Sequence, residues 1–241
     1  MGHAFMKIPR APHSWLLSPA QAIALQKRMA GLVVQARRSR KFRFVAGLDA
    51  AFSDDDKLCF AAVVLWDLRR QLVVEQHTAI RPLVFPYSPG LLSFREVPAL
   101  LAALRKLKQT PDVLMCDGQG IAHPRRFGIA CHLGVVCNLP AVGCAKSRLI
   151  GTHGEPSLAR GSHMLLTDKG EVIGTVLRTQ TGVKPVYVSI GHKADLPAAA
   201  EMVLDCAVKY RLPEPTRLAD QLVAAAKRES VDRQIIAKMR R

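Results

Sequence analysis

Three acidic residues occupy positions where a charge is costly. Asp49 lies within Phe44-Val45-Ala46-Gly47-Leu48-Asp49-Ala50-Ala51-Phe52, where every neighbour is apolar or small. Burying an ionised carboxylate there costs on the order of several kcal/mol unless a cation or donors offset it. Asp49 therefore either faces such a partner or sits at an edge and points to water. Asp117 ends the apolar run Val113-Leu114-Met115-Cys116 and is followed by Gly118-Gln119-Gly120. A carboxylate at the carboxyl end of a parallel strand, opening into a glycine-rich loop, is where α/β folds contact ligands, although alone it serves equally well as a turn cap. Glu96 falls at the centre of a helical apolar face shared with Leu92, Ala99, Leu100, Ala103, Leu104 and Leu107, opposite Arg95, Arg105 and Lys106. It either addresses a partner on the sheet or closes a capping box, Ser93-Phe94-Arg95-Glu96. Pro98 bears on both readings, because it permits a regular helix only if the start lies just before it.

On one strand, one helix and a second strand, these carboxylates form a convergent cluster of hard oxygen ligands. Such a set suits Mg²⁺, or Mn²⁺ in its place. A bound cation offsets the mutual repulsion and activates water against a phosphodiester, and a second one ~3.5–4 Å away would stabilise the leaving oxygen. The implied chemistry is metal-dependent phosphodiester hydrolysis. Other motifs fail on inspection: Gly118-Gln119-Gly120-Ile121-Ala122-His123 lacks the third glycine of a dinucleotide fingerprint, and Ala145-Lys146-Ser147 lacks the glycine before the lysine of a phosphate loop.

The elements that must position these groups follow from periodicity. Ser18-Pro19-Ala20-Gln21 is a capping-box start for a helix over 19–37, with Ile23, Gln26, Met29, Leu32, Val33 and Ala36 on one side. Strands are expected over 44–52, 58–67 and 72–80, joined by short turns, which makes an antiparallel meander. A proline-rich loop, 81–89, leads to a helix ending near Lys108. Strand 113–116, helix 126–138 and strand 141–145 form a parallel crossover. A hairpin over 162–178, a strand at 185–189 and helices over 195–210 and 216–238 complete the chain. The order β-β-β-α-β-α-β resembles the ribonuclease H-like fold, an α/β architecture with a mixed sheet flanked by helices. Its nucleases carry carboxylates on the first strand, the following helix and the end of the fourth strand.

Composition is ordinary for a globular protein: 49% hydrophobic and 22% charged residues in a chain of 241 exclude disordered, collagen-like and coiled-coil classes. One domain spanning residues 1–241 is expected. The net charge of +16 is concentrated at the ends. Residues 1–43 hold nine basic and no acidic side chains, and residues 221–241 six basic and two acidic, so both read as basic extensions. Basic arms on a near-neutral body fit a polyanionic partner such as nucleic acid, or simply keep the chain soluble. The six cysteines include no C-x-x-C pair and read as buried thiols of a reducing compartment. No apolar run is long enough for a membrane span, and a cytoplasmic location with no membrane association is expected.

At the level of strings the chain resembles endonuclease V, the family that nicks nucleic acid near deaminated adenine. The matching segments are Val45-Ala46-Gly47-Leu48-Asp49, the run from Pro86 to Glu96, the run from Asp117 to Gly128, Gly143-Cys144-Ala145-Lys146-Ser147 and Pro215-Thr216-Arg217-Leu218-Ala219-Asp220. The resemblance implies that Asp49 and Asp117 bind metal, that Glu96 is the catalytic helix glutamate, and that Asp220 lies near the metals. It further implies that His123 contacts phosphate or a metal-bound water and that Lys146 orients or neutralises the scissile phosphate. Tyr87, between Pro86 and Pro89, matches a wedge beside the lesion, where an aromatic face replaces lost stacking. Gly90 and Leu92 match residues lining the pocket for the everted base, and Gly120 belongs to the nucleic-acid contacts. Ser88 departs from the aliphatic residue common in that wedge. The implied reaction is Mg²⁺-dependent hydrolysis of the second phosphodiester 3′ to deoxyinosine, in DNA repair, by a monomer without an obligate protein partner. The competing readings are an inosine-specific endoribonuclease acting on RNA and a non-catalytic nucleic-acid-binding protein.

Overall fold

The computed structural model describes residues 6–35 and 41–239, with side chains to residue 231. Eight strands form one mixed sheet, with five helices packed on its two faces. The first three strands, β1 (Phe44–Phe52), β2 (Leu58–Asp67) and β3 (Leu72–Pro82), are the expected antiparallel meander. The helix α2 (Leu92–Leu104), the strand β4 (Val113–Cys116), the helix α3 (Ile129–Cys137) and the strand β5 (Ala141–Ala145) follow, and β4 runs parallel to both β1 and β5. A second antiparallel group, β6 (His163–Asp168), β7 (Glu171–Leu177) and β8 (Val186–His192), adds to β5 through β8. The strand order is β3-β2-β1-β4-β5-β8-β7-β6, the ribonuclease H-like arrangement with an extended edge.

The helix α1 (Pro19–Ala30) opens with the expected capping box: Gln21 N–H donates to Ser18 Oγ at 3.3 Å and Ser18 N–H to Gln21 Oε1 at 2.8 Å. It ends seven residues earlier than periodicity suggests. Gly31 caps it, and the chain turns away so that Val34 accepts from Lys193 N–H at 2.6 Å and Gln35 bridges to Ala194. Backbone pairing beside the sheet thus outcompetes continuation of the helix. Of the expected side, Gln26 and Met29 are buried, and Ala22 and Leu25 join them in place of Ile23. The basic residues Arg37, Arg38 and Arg40 lie outside the described residues.

The segment before α1 belongs to the core. Trp15 stacks on the fully buried His132 of α3, and His132 Nε2 lies 2.8 Å from His13 Nε2. His13 Nδ1 donates to the carbonyl of Ser14, so His13 Nε2 is an acceptor, His132 Nε2 carries its ring proton, and Ser93 Oγ–H must donate to His132 Nδ1 at 3.0 Å. Burial pushes the His132 pKa down to about 3, which keeps this chain of bonds uncharged.

The last two helices are α4 (Leu196–Cys206), capped by Asp195, and α5 (Glu214–Met239). α5 packs across β1 and β2, and α2 covers the other face of the meander. All six cysteines are buried and free, as composition suggests. No helix among the described residues is long and apolar enough to cross a membrane.

Candidate active site

The parallel pairing of β1 and β4 sets the centre of the site. Leu48 is in register with Cys116, and Asp117 N–H donates to the Leu48 carbonyl at 3.2 Å, so Asp49, inside β1, and Asp117, just past the end of β4, are brought side by side. The third acid comes from α5. Gly47 makes this possible: a Cβ there would lie 2.1 Å from the Pro215 carbonyl carbon, so only glycine lets the helix start rest on β1. Asp220 then reaches Asp49 and Asp117. One carboxylate oxygen from each of Asp49, Asp117 and Asp220 lies within 4.8 Å of the others.

Lys146, at the end of β5, is the cation these acids share in the protein alone. Its Nζ lies 2.6 Å from Asp117 Oδ2 and 3.3 Å from Asp220 Oδ1. Burial opposes its charge, but the two carboxylates outweigh that and its pKa is raised. Asp49 has no such direct partner. Desolvation first, and the neighbouring Asp117 charge second, push its pKa up to about 7 despite the Ala50 N–H and Lys146. Three carboxylate oxygens at this spacing, one holding a proton near neutrality, fit a hard divalent cation: the cation would offset both the burial and the mutual repulsion behind the shift.

Glu96 lies beside this group rather than within it. Its carboxyl is buried, and desolvation together with Asp49 and Asp117 raises its pKa well above the usual range. The capping-box alternative fails because α2 begins at Leu92, with Leu91 as N-cap making no side-chain bond, while the Ser93 hydroxyl is used on His132. Pro98 lies inside the helix, not at its start. Arg95, expected on the solvent face, is buried: its guanidinium stacks on Phe52 and faces Tyr87, pairs with Asp56 and donates to the Phe85 carbonyl. The meander supplies a second apolar wall at that point, so helical periodicity misassigned the side.

A cavity of about 410 Å³ opens directly beside the acids. Asp117, Lys146 and Arg148 line one side, and Tyr87, Ser88, Pro89, Gly90, Leu92 and Ser93 line another. That volume lies in the usual ~300–1,000 Å³ range of small-ligand sites. Tyr87 stands out from the loop, 73% exposed, which contradicts the alternative that it packs on the sheet. Pro86 is exposed on its flank but does not line the cavity.

Two expected contacts take other roles. His123 lines the cavity, yet its Nδ1 accepts from Arg125 N–H at 3.2 Å and its Nε2 donates to the Gly90 carbonyl at 3.1 Å. Burial and the adjacent Arg125 push its pKa down to about 4, so in the protein alone it is a neutral strut with both nitrogens engaged. Gly120, expected to touch nucleic acid, is buried against β8. Its N–H donates to Ser189 Oγ at 2.8 Å, and a Cβ would lie 2.0 Å from the Ile190 carbonyl oxygen. It is a packing glycine. Gln26 of α1, which periodicity places on the apolar side of its helix without a role in the site, lines the cavity and is 1% exposed. The signal was present, since it is the one amide on the otherwise apolar side of that helix.

The comparisons agree with this geometry. A protein-family model described as Endonuclease V matches residues 27–221. Endonuclease V of Trichormus variabilis is 51% identical over 214 residues, which covers 88% of this chain and 97% of that protein. Among solved structures, Endonuclease V of Streptomyces avermitilis superposes with a TM-score of 0.87 at 41% identity, over 93% of this chain and all of its own. Endonuclease V of Ciona intestinalis, solved with a 24-mer DNA containing an inosine followed by a ribo-adenosine, gives a TM-score of 0.77 at 29% identity, over 87% of this chain and 98% of its own. Sequence and architecture thus match along nearly the whole length, and the chain belongs to the endonuclease V family.

Proposed function

We propose that this protein is a Mg²⁺-dependent endonuclease that recognises deoxyinosine in DNA and hydrolyses the second phosphodiester on its 3′ side, leaving 3′-hydroxyl and 5′-phosphate ends, in repair of deaminated adenine. The observation that carries this reading is the shared boundary of the two halves of the site: Asp117 and Lys146 belong both to the acidic group and to the wall of the cavity. A base held in the cavity therefore lies within a nucleotide or two of the acids. The Ciona protein's inosine-containing ligand supports the choice of base.

Asp49, Asp117 and Asp220 would hold the cation, with Mn²⁺ as a substitute for Mg²⁺. The bound cation would polarise the phosphoryl oxygen and lower the pKa of an attacking water. The remaining work falls to the chain itself. Lys146, already bonded to Asp117, would turn toward the scissile phosphate and neutralise it. Glu96, whose pKa burial and the neighbouring Asp49 and Asp117 charges raise, would exchange a proton beside them. Tyr87 would insert beside the vacated base and supply a stacking face, with Arg95 packed beneath it to hold the ring in place. Pro89, Gly90 and Leu92 would enclose the everted base. The protein would act as a monomer on its nucleic-acid substrate.

A second reading, cleavage of inosine-containing RNA, is favoured by one observation: the Ciona ligand carries a ribonucleotide directly after the inosine. End-labelled DNA and RNA strands with a single inosine, incubated with Mg²⁺ or EDTA, decide between the two. Cleavage one nucleotide beyond inosine, present with Mg²⁺ and absent with EDTA, is expected, and the preferred sugar identifies the substrate. Binding without cleavage of either strand would contradict both and leave a non-catalytic binder.

A further inference from the structure

Gln26 is a carboxamide buried among Ala22, Leu25 and Met29, and every part of it is used. Its Oε1 accepts from Arg125 Nε at 2.5 Å, and its Nε2 donates to the carbonyls of Gly90 at 3.0 Å and Phe127 at 3.1 Å. The orientation of the amide is fixed by chemistry: a guanidinium only donates and a carbonyl only accepts, so the reversed amide would mismatch all three partners. The Gly90 carbonyl also accepts from Arg125 Nη2 at 2.7 Å and His123 Nε2 at 3.1 Å. Three donors, one of them cationic, converge on an oxygen with two lone pairs, which is more than its solvation requires.

Gly90 is the left-handed residue of the turn Ser88–Leu91, with φ +74°, Pro89 before it and Leu91 N–H closing onto the Ser88 carbonyl at 3.0 Å. Fixing its carbonyl fixes the peptide plane that leads into α2. The wall from Tyr87 to Ser93 is therefore set by this clamp. Phe127 precedes Gly128 and Ile129 on a facing stretch of the same cavity. One side chain thus ties two walls of the cavity together, from a helix that takes no part in the acidic cluster.

We propose that Gln26 is a positioning residue for base discrimination, which rests on the reading that the cavity receives inosine. With Arg125 and His123 it holds the two walls at the separation that accepts hypoxanthine, and it contributes nothing to cation binding.

The test is binding of labelled strands bearing inosine or adenosine at the same place, with Ca²⁺ in place of Mg²⁺, to wild type, Gln26→Met and Gln26→Glu. The glutamate variant keeps the length and the bond to Arg125 but cannot donate to either carbonyl, so it serves even if the methionine variant fails to fold. Both variants should lose about tenfold in affinity for the inosine strand. Affinity for the adenosine strand, and the Mg²⁺ concentration giving half-maximal cleavage, should stay at the wild-type values. Preference for inosine retained in the folded variants, or equal loss on both strands, would overturn the inference while leaving the proposed function intact. Absence of any inosine preference in the wild type would instead overturn the proposed function, and the inference with it.

Discussion

Gly47 and Pro215 meet without room for a methyl group, the Cβ position of the first lying 2.1 Å from the carbonyl carbon of the second. Asp220 enters the acidic group through this contact, because α5 crosses β1 there and carries Asp220 to Asp49 and Asp117. Gly47→Ala should force α5 outward. Overpacking of this kind costs about 1–3 kcal/mol, so melting by circular dichroism should show a lower Tm. The Mg²⁺ concentration for half-maximal activity should rise several-fold, since one ligand is displaced. A Tm and Mg²⁺ dependence equal to those of the wild type would show that α5 tolerates the methyl group.

Asp49 should make the cation-free protein pH-sensitive in a defined direction. Its folded pKa, raised to about 7, lies above the ordinary value of 3.8. Its protonated form therefore favours folding below 3.8, and that contribution is lost as pH rises through 7. In EDTA, Asp49→Asn should accordingly melt above the wild type at pH 8, with the difference shrinking toward pH 4. Mg²⁺ should reverse the order at pH 8 by stabilising only the wild type, and calorimetry in two buffers should detect proton release on Mg²⁺ uptake by the wild type.

Lys146 competes with a metal for Asp117 and Asp220 and is also the group assigned to the phosphate. These roles separate in Lys146→Met. Mg²⁺ should bind more tightly, because no ammonium has to leave, while kcat at saturating Mg²⁺ should fall by about 10²–10³, the usual loss for one charge-stabilising donor. A fall in kcat restored by excess Mg²⁺ would mean that Lys146 only shapes the metal site.

Tyr87 is exposed and supports little of the fold. Tyr87→Ala should leave the unfolding free energy within about 0.5 kcal/mol of the wild type, as for surface positions. It should weaken binding to an inosine-containing duplex by the ~1–3 kcal/mol of one stacking contact. The loss should be smaller on a single strand, where no partner base has to be held apart. Gel-shift titrations on the two substrates measure both.

Much of this arrangement was legible in the sequence because continuous apolar runs bounded by short polar turns leave few alternatives. The bounds of β1, β2, β4 and β5 follow directly, and with them the adjacency of Asp49 and Asp117. What was not legible arises from contacts between segments distant in the chain. Arg95 was assigned to solvent because helical periodicity contains no information about Phe52, Asp56 and Phe85. The partners of His123, the Gly90 carbonyl and the Arg125 amide, become visible only once two loops meet. The segment before α1 read as a basic arm, but Trp15 and His13 anchor it to His132, more than a hundred residues away. Glu96 was placed on the buried side correctly, yet its position beside the three aspartates rather than among them depends on the depth of α2.

The central claim is that the three aspartates and the adjoining cavity form one catalytic unit. Single-turnover cleavage of a strand with one inosine, in Mg²⁺, by wild type, Asp49→Asn and Asp117→Asn tests it most directly, with an adenosine strand as control. The account predicts cleavage beyond inosine by the wild type, a loss of at least about 10²-fold in each variant, and inosine-specific binding retained in both. Cleavage by either variant at the wild-type rate, or equal cleavage of the adenosine strand, would contradict it.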